Sequence, residues 1–166
     1  AKTFGIERGV LIKQRPGLIA SGKYQVRETT LSKLAQGLPD LNQHQALGLG
    51  TPQREEGSIV TAREHEKQGK PANPIPKTKE HFLFREQPTA MILDIEGVDL
   101  PTARVIEILS EIIPSFEKTE KLVVPSSSSG LYKSDKLLKE STSAHVYVVV
   151  TDGRDIPAFM KRLMKR

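Results

Sequence analysis

The run Ala144-His145-Val146-Tyr147-Val148-Val149-Val150 carries the clearest strand signal in the chain. It is rich in β-branched residues, whose stiff side chains suit a pleated surface. A second run, from Thr89 to Ile95, holds Met91, Ile92, Leu93 and Ile95 almost without interruption, the pattern of a strand covered on both faces. Between the two lies an amphipathic helix. Asp99-Leu100-Pro101 offers an acidic cap and a proline near the first turn. Val105, Ile106, Ile108, Leu109, Ile112 and Ile113 then make a broad apolar face that Pro114 ends.

The remainder of the C-terminal half completes a pattern. Lys121-Leu122-Val123-Val124-Pro125 reads as another strand, and the polar stretch 131–140 as a loop or hairpin excursion. Asp152-Gly153 turns the chain, and 156–166 begins a basic amphipathic helix with Phe159, Met160 and Leu163 inward. Strand, helix, strand, strand, helix predicts an α/β sandwich of the RRM-like, or ferredoxin-like, kind.

The N-terminal half is less periodic. To about residue 36 it reads as extended chain followed by a short helix, with Thr29-Thr30 capping the turn of Leu31, Leu34 and Ala35, and Gly37-Leu38-Pro39-Asp40 stopping it. Ala46-Leu47-Gly48-Leu49-Gly50 and His81-Phe82-Leu83-Phe84-Arg85 read as short strands. Residues 53–80 are polar, and 64–80, with Gly69, Pro71, Pro74 and Pro76, reads as a long loop. The expected division is an irregular N-terminal layer over 1–76 and the first part of an RRM-like core over 77–166, the two able to form one compact domain.

Composition narrows the chemistry. The 166 residues include no cysteine, which excludes disulfides and cysteine-ligated zinc. No run approaches the roughly 18 apolar residues of a membrane span, and the opening Ala1-Lys2-Thr3 has no apolar signal-peptide core. No membrane partner and a cytoplasmic location are the expectations. A net charge of +5 is compatible with a polyanionic partner.

Three motifs carry candidate chemistry. In Asp94-Ile95-Glu96 the two acids stand two apart at the end of a strand and share a face. Converging carboxylates repel unless a cation lies between them, and oxygen ligands select Mg²⁺ or Mn²⁺. The plain alternative is a strand end whose acids face water. Ser126-Ser127-Ser128-Ser129-Gly130 directly follows a strand, where hydroxyls and backbone N–H groups can cradle phosphate; four serines are also the usual mark of a linker. Ser143-Ala144-His145 opens the last strand, with Ser143, His145 and Tyr147 on one face. A histidine there suits a phosphate oxygen or a metal-bound water, or is simply structural.

In this order the three motifs resemble the archaeo-eukaryotic primase superfamily, especially the primase-polymerase domains of bacterial plasmids, phages and other mobile elements. The family's hhhDhD/E motif is matched by Ile92-Leu93-Asp94-Ile95-Glu96 behind Met91, and its s-x-H motif by Ser143-Ala144-His145. The likeness is strongest over 77–160. It implies a DNA primase or DNA-directed polymerase core that transfers nucleotides from nucleoside triphosphates on a single-stranded DNA template, with Mg²⁺ or Mn²⁺ as cofactor. By the same likeness, Asp94 and Glu96 hold the metal and are catalytic. Ser143 and His145, with Ser127, Ser128 and Ser129, bind the nucleotide. Lys77, Lys79 and Arg85 contact template or nucleotide. A helicase domain or other replication proteins would be partners. The family has a third acid on a later strand. Here the remaining acids Asp152 and Asp155 stand in a turn, and the ending Lys161-Arg162-Leu163-Met164-Lys165-Arg166 reads as mid-helix. A core truncated at its C-terminus is the expectation. Its rivals are a non-catalytic nucleic-acid-binding module on an RRM-like sheet, an inactive fragment of a replication protein, or a purely structural domain.

Overall fold

A computed structural model describes residues 3–7, 10–15, 20–42, 44–95, 98, 100–125, 131–133, 135–139 and 144–165. The chain opens with an antiparallel hairpin, β1 (Thr3–Glu7) and β2 (Val10–Arg15), with Glu7 opposite Val10. After β3 (Ser21–Gln25) comes α1 (Leu31–Gly37). The helix starts where a threonine cap predicts: Lys33 N donates to Thr30 Oγ1 at 3.2 Å. Leu31 is the side chain α1 buries.

The polar middle of the chain is more ordered than its composition predicts. β4 (Glu56–Val60), α2 (Ala62–Lys67) and β5 (Ile75–Pro76) follow one another, and β4 lies between β3 and β5 in a three-stranded sheet. β3 and β4 pair antiparallel, with Tyr24 opposite Gly57, and β4 and β5 pair in parallel. The tyrosine ring covers that glycine, since a Cβ on Gly57 would meet the Tyr24 hydroxyl at 2.8 Å. Phe82 packs edge-on to the same ring at 5.8 Å. The expected loop over 64–80 is therefore corrected. Thr61 accepts from Glu64 N at 3.3 Å and caps α2, which supplies the crossover that two parallel strands need.

Neither expected short strand forms. Residues 46–50 and 81–85 are irregular apart from one isolated antiparallel bridge, Thr51 to Leu83. Gly50 sits at φ +82° with the Phe82 carbonyl 2.8 Å from where a Cβ would stand, so the backbone turns there and does not extend.

From residue 89 onward the pattern holds element by element. β6 (Thr89–Ile95), α3 (Thr102–Ile112), β7 (Lys121–Pro125), β10 (Ala144–Val150) and α4 (Ile156–Leu163) all occur, and the excursion is a hairpin of β8 (Leu131–Lys133) and β9 (Lys136–Lys139). α3 begins at Pro101 without a side-chain cap bond, and the expected cap Asp99 lies outside the described residues. It buries Val105 and Leu109, then stops at Ile113 ahead of Pro114. Ser115 takes a left-handed conformation, φ 60°, that turns the chain into a short 3₁₀ segment bearing the buried Phe116. In α4, Ile156 is buried, Phe159, Met160 and Leu163 are half-buried, and Lys161 and Arg162 are exposed.

The sheet of this half has the order β6-β10-β7, with β10 and β7 antiparallel. β10 is the central strand, and Ala144, Val146, Tyr147 and Val148 on it are buried, whereas Val149 is 46% exposed. The fold is mixed α/β, with two three-stranded sheets and two two-stranded hairpins among the described residues. Two compact units emerge, one holding Gly17–Met91 with Val150–Arg166, the other Lys2–Pro16 with Ile92–Val149. No helix among the described residues is long and apolar enough to cross a membrane.

Candidate functional site

The strand register fixes which side chains share a face. Val124 stands opposite His145 and Leu122 opposite Tyr147, so these four project to one side of the sheet. Val146 and Val148 project to the other side. On β6 the alternation places Met91 and Leu93, both buried, opposite in sense to Asp94, which is exposed.

Asp94 meets His145 across the two neighbouring strands. His145 Nε2 lies 3.2 Å from Asp94 Oδ1, with the histidine side chain 25% and the aspartate side chain 54% exposed. The end of β6 thus stands beside the start of β10. Residues 51 positions apart in the chain are brought to ion-pair distance by sheet formation alone.

Tyr147 completes the cluster. Its ring lies edge-on to that of His145, with centroids 6.5 Å apart and planes at 87°. Tyr147 is only 6% exposed. Burial pushes its phenol above the ordinary tyrosine range, and the nearby Asp94 carboxylate adds to the shift. The phenol therefore keeps its proton at neutral pH. In the sequence Tyr147 continues the face of His145 and is the core-strand aromatic a base-stacking reader would use; its link to Asp94 is visible only once β6 and β10 are side by side.

The other expected residues divide in two. Glu96, Ser127, Ser128, Ser129 and Ser143 lie outside the described residues. Lys77, Lys79 and Arg85 are exposed and belong to the first compact unit, whereas Asp94 and His145 belong to the second. Lys77 is tied by its backbone, donating to Val60 O at 2.8 Å, and an Arg85 guanidinium N–H reaches Pro52 O at 3.4 Å. Asp152 is engaged: Arg154 donates to it from Nη2 at 2.6 Å and from Nε at 3.1 Å, and these bonds hold its carboxyl below the ordinary range. Arg154 also reaches Glu86 at 2.8 Å.

The donor set can be compared with what a hard divalent cation requires. Mg²⁺ and Mn²⁺ take oxygen ligands, and the half-exposed Asp94 carboxylate is one such ligand at an open strand end. Among the described residues no group of three or more His, Asp or Glu side chains converges as a metal site. Asp94 is one oxygen donor of the kind such an ion takes, with the His145 imidazole 3.2 Å away. No family model matches the chain, nor does any curated protein or solved structure.

Proposed function

We propose that the chain is the nucleotidyl-transfer core of a DNA primase-polymerase, acting on nucleoside triphosphates along a single-stranded DNA template. The observation that carries the proposal is the 3.2 Å approach of His145 Nε2 to Asp94 Oδ1 on adjacent strands. It unites the acid of one motif with the histidine of the other on one face. The order β6-β10-β7 supports a ferredoxin-like sheet, since it inserts the third strand between the first two. A core of this kind belongs to the replication apparatus of a mobile element in the cytoplasm, where a helicase domain would be a natural partner.

In the reaction the 3′-hydroxyl oxygen of the growing strand forms a bond to the α-phosphorus of the next nucleotide. The bond from that phosphorus to the bridging oxygen breaks, pyrophosphate leaves, and the hydroxyl proton passes to solvent. Bound Mg²⁺ or Mn²⁺ would supply charge neutralisation on the phosphates and a more acidic hydroxyl. Asp94, with Glu96, is the oxygen-ligand pair that would hold it. His145, whose Nε2 faces Asp94 and whose ring lies edge-on to Tyr147, would present its Nδ1–H to a phosphate oxygen and orient the nucleotide. Positioning and fixed charge of this sort account for most of the acceleration in phosphoryl transfer.

A module that reads bases by stacking on sheet aromatics is less well supported. Tyr147, the aromatic on the central strand, is buried and offers no stacking platform. The test is Mn²⁺ binding with and without nucleoside triphosphate, comparing the parent with Asp94→Ala/Glu96→Ala and with His145→Ala. The expected result is loss of metal binding by at least about tenfold in the double variant, with the circular-dichroism spectrum kept. His145→Ala should keep the metal and weaken the triphosphate. A double variant that binds metal and nucleotide as the parent does would overturn the proposal.

A further inference from the structure

The β8–β9 hairpin presents an unusual surface. Tyr132 on β8 is 67% exposed, and Leu137, directly opposite on β9, is 42% exposed. Residues directly opposite in an antiparallel pair share a face, so the hairpin displays an aromatic ring beside an aliphatic side chain. The same nine residues carry Lys133, Lys136 and Lys139 against the single acid Asp135. Lys136 is exposed and stands opposite Lys133 in the register. Asp135 forms the turn with φ 63°, the left-handed conformation that Asp tolerates better than most residues.

Connectivity ties the hairpin to the candidate site. It leaves the sheet after Pro125 and returns at Ala144, and those two residues are partners at one end of the β7–β10 ladder. His145 is the next residue of that ladder, and Asp94 meets it there. The connecting segments are 126–130 and 140–143, and five extended residues reach at most about 20 Å. The chain length therefore keeps the hairpin within about 20 Å of the ladder end that holds His145, in the same compact unit.

We infer that this hairpin is a contact surface for single-stranded DNA, with the Tyr132 ring stacking on an unpaired base and Lys136 meeting the backbone phosphate. An exposed aromatic among lysines is the combination that binds single strands without sequence preference. The ring face accepts any base, and the cations release counterions from the backbone. The inference rests on the proposal that the chain acts on a nucleic-acid template, and it adds where that template is held.

The experiment is fluorescence anisotropy of a labelled oligothymidylate of about 20 nucleotides, titrated with the whole chain at low and moderate salt. Tyr132→Ala should weaken binding roughly tenfold, and Tyr132→Trp, which keeps a stacking face, should hold it within about twofold of the parent. Lys136→Glu should weaken binding and make its salt dependence shallower. Equal affinity of Tyr132→Ala and the parent, or a parent that does not bind the oligonucleotide, overturns the inference. So does equal weakening by the alanine and the tryptophan, because a contact indifferent to the ring is not stacking. Mn²⁺ binding measured on the same variants separates the two proposals. Metal binding lost in Asp94→Ala/Glu96→Ala but kept in Tyr132→Ala marks the site and the hairpin as distinct. Oligonucleotide binding by a parent that binds no metal leaves the hairpin standing and removes the catalytic reading.

Discussion

At Asp94 a single carboxylate is asked to act in two directions. It faces His145 at 3.2 Å, and its charge also reaches Tyr147, whose phenol burial already pushes upward. Because burial is the larger cause, Asp94→Asn should bring the Tyr147 midpoint down without returning it to the ordinary value of about 10. Nuclear magnetic resonance of the tyrosine ring carbons, assigned with Tyr147→Phe, measures this. An unchanged midpoint would show that the phenol does not feel the carboxylate. The raised value also has a sign for stability. The folded chain holds the phenolic proton more tightly than the unfolded chain. That contribution is complete below the ordinary tyrosine range and is lost as pH rises through the raised midpoint. The pairing of Asp94 with His145 was legible as two motifs in order; its distance was not, because sequence does not state which strands become neighbours.

Elements with strong internal periodicity are legible in the sequence, and those held by pairing are not. β6, β7 and β10 match their expected limits because apolar and β-branched runs leave a strand as the main option. β4 has the sequence Glu-Gly-Ser-Ile-Val, which has little strand character; it forms because β3 and β5 pair on either side of it. α2 did carry a local signal, the Thr61-Ala62-Arg63-Glu64 capping pattern. Proline and glycine further along obscured it. Removing the cap by Thr61→Ala should cost about 1 kcal/mol, felt mainly as fraying of α2. Hydrogen exchange of the α2 amides checks this: exchange should quicken there while the β10 amides are unaffected. The opposite outcome would mean that α2 and the central strand open together. The expected strands at 46–50 and 81–85 fail for the complementary reason. Gly48 and Gly50 weaken an extended run, and the bridge at Thr51–Leu83 is too short to propagate.

Within the second compact unit, the central strand β10 carries the most deeply buried side chains. Val146 is completely buried in the middle of β10, between β6 and β7. Val146→Ala should destabilise the chain by on the order of 2 kcal/mol, through lost apolar contact and the cavity left behind. Urea denaturation followed by circular dichroism measures the shift. A loss well below 1 kcal/mol would show that the strand relaxes around the missing methyls. Asp94, by contrast, is half-exposed at the strand end, so its substitution should leave the core intact.

The sequence by itself determined the local identity of the C-terminal elements and the set of residues able to do chemistry. Apolar periodicity, proline stops and carboxylate spacing act over a few residues, and they are written in the chain. Tertiary structure decided which of those residues stand together. Only the order β6-β10-β7 brings Asp94 to His145, and only the covered centre of that sheet takes Tyr147 away from solvent and out of reach of a stacked base. The physical reason is that strand pairing joins residues far apart in the chain through backbone hydrogen bonds, which any side-chain pattern can make; the choice of partner belongs to the packing of the whole.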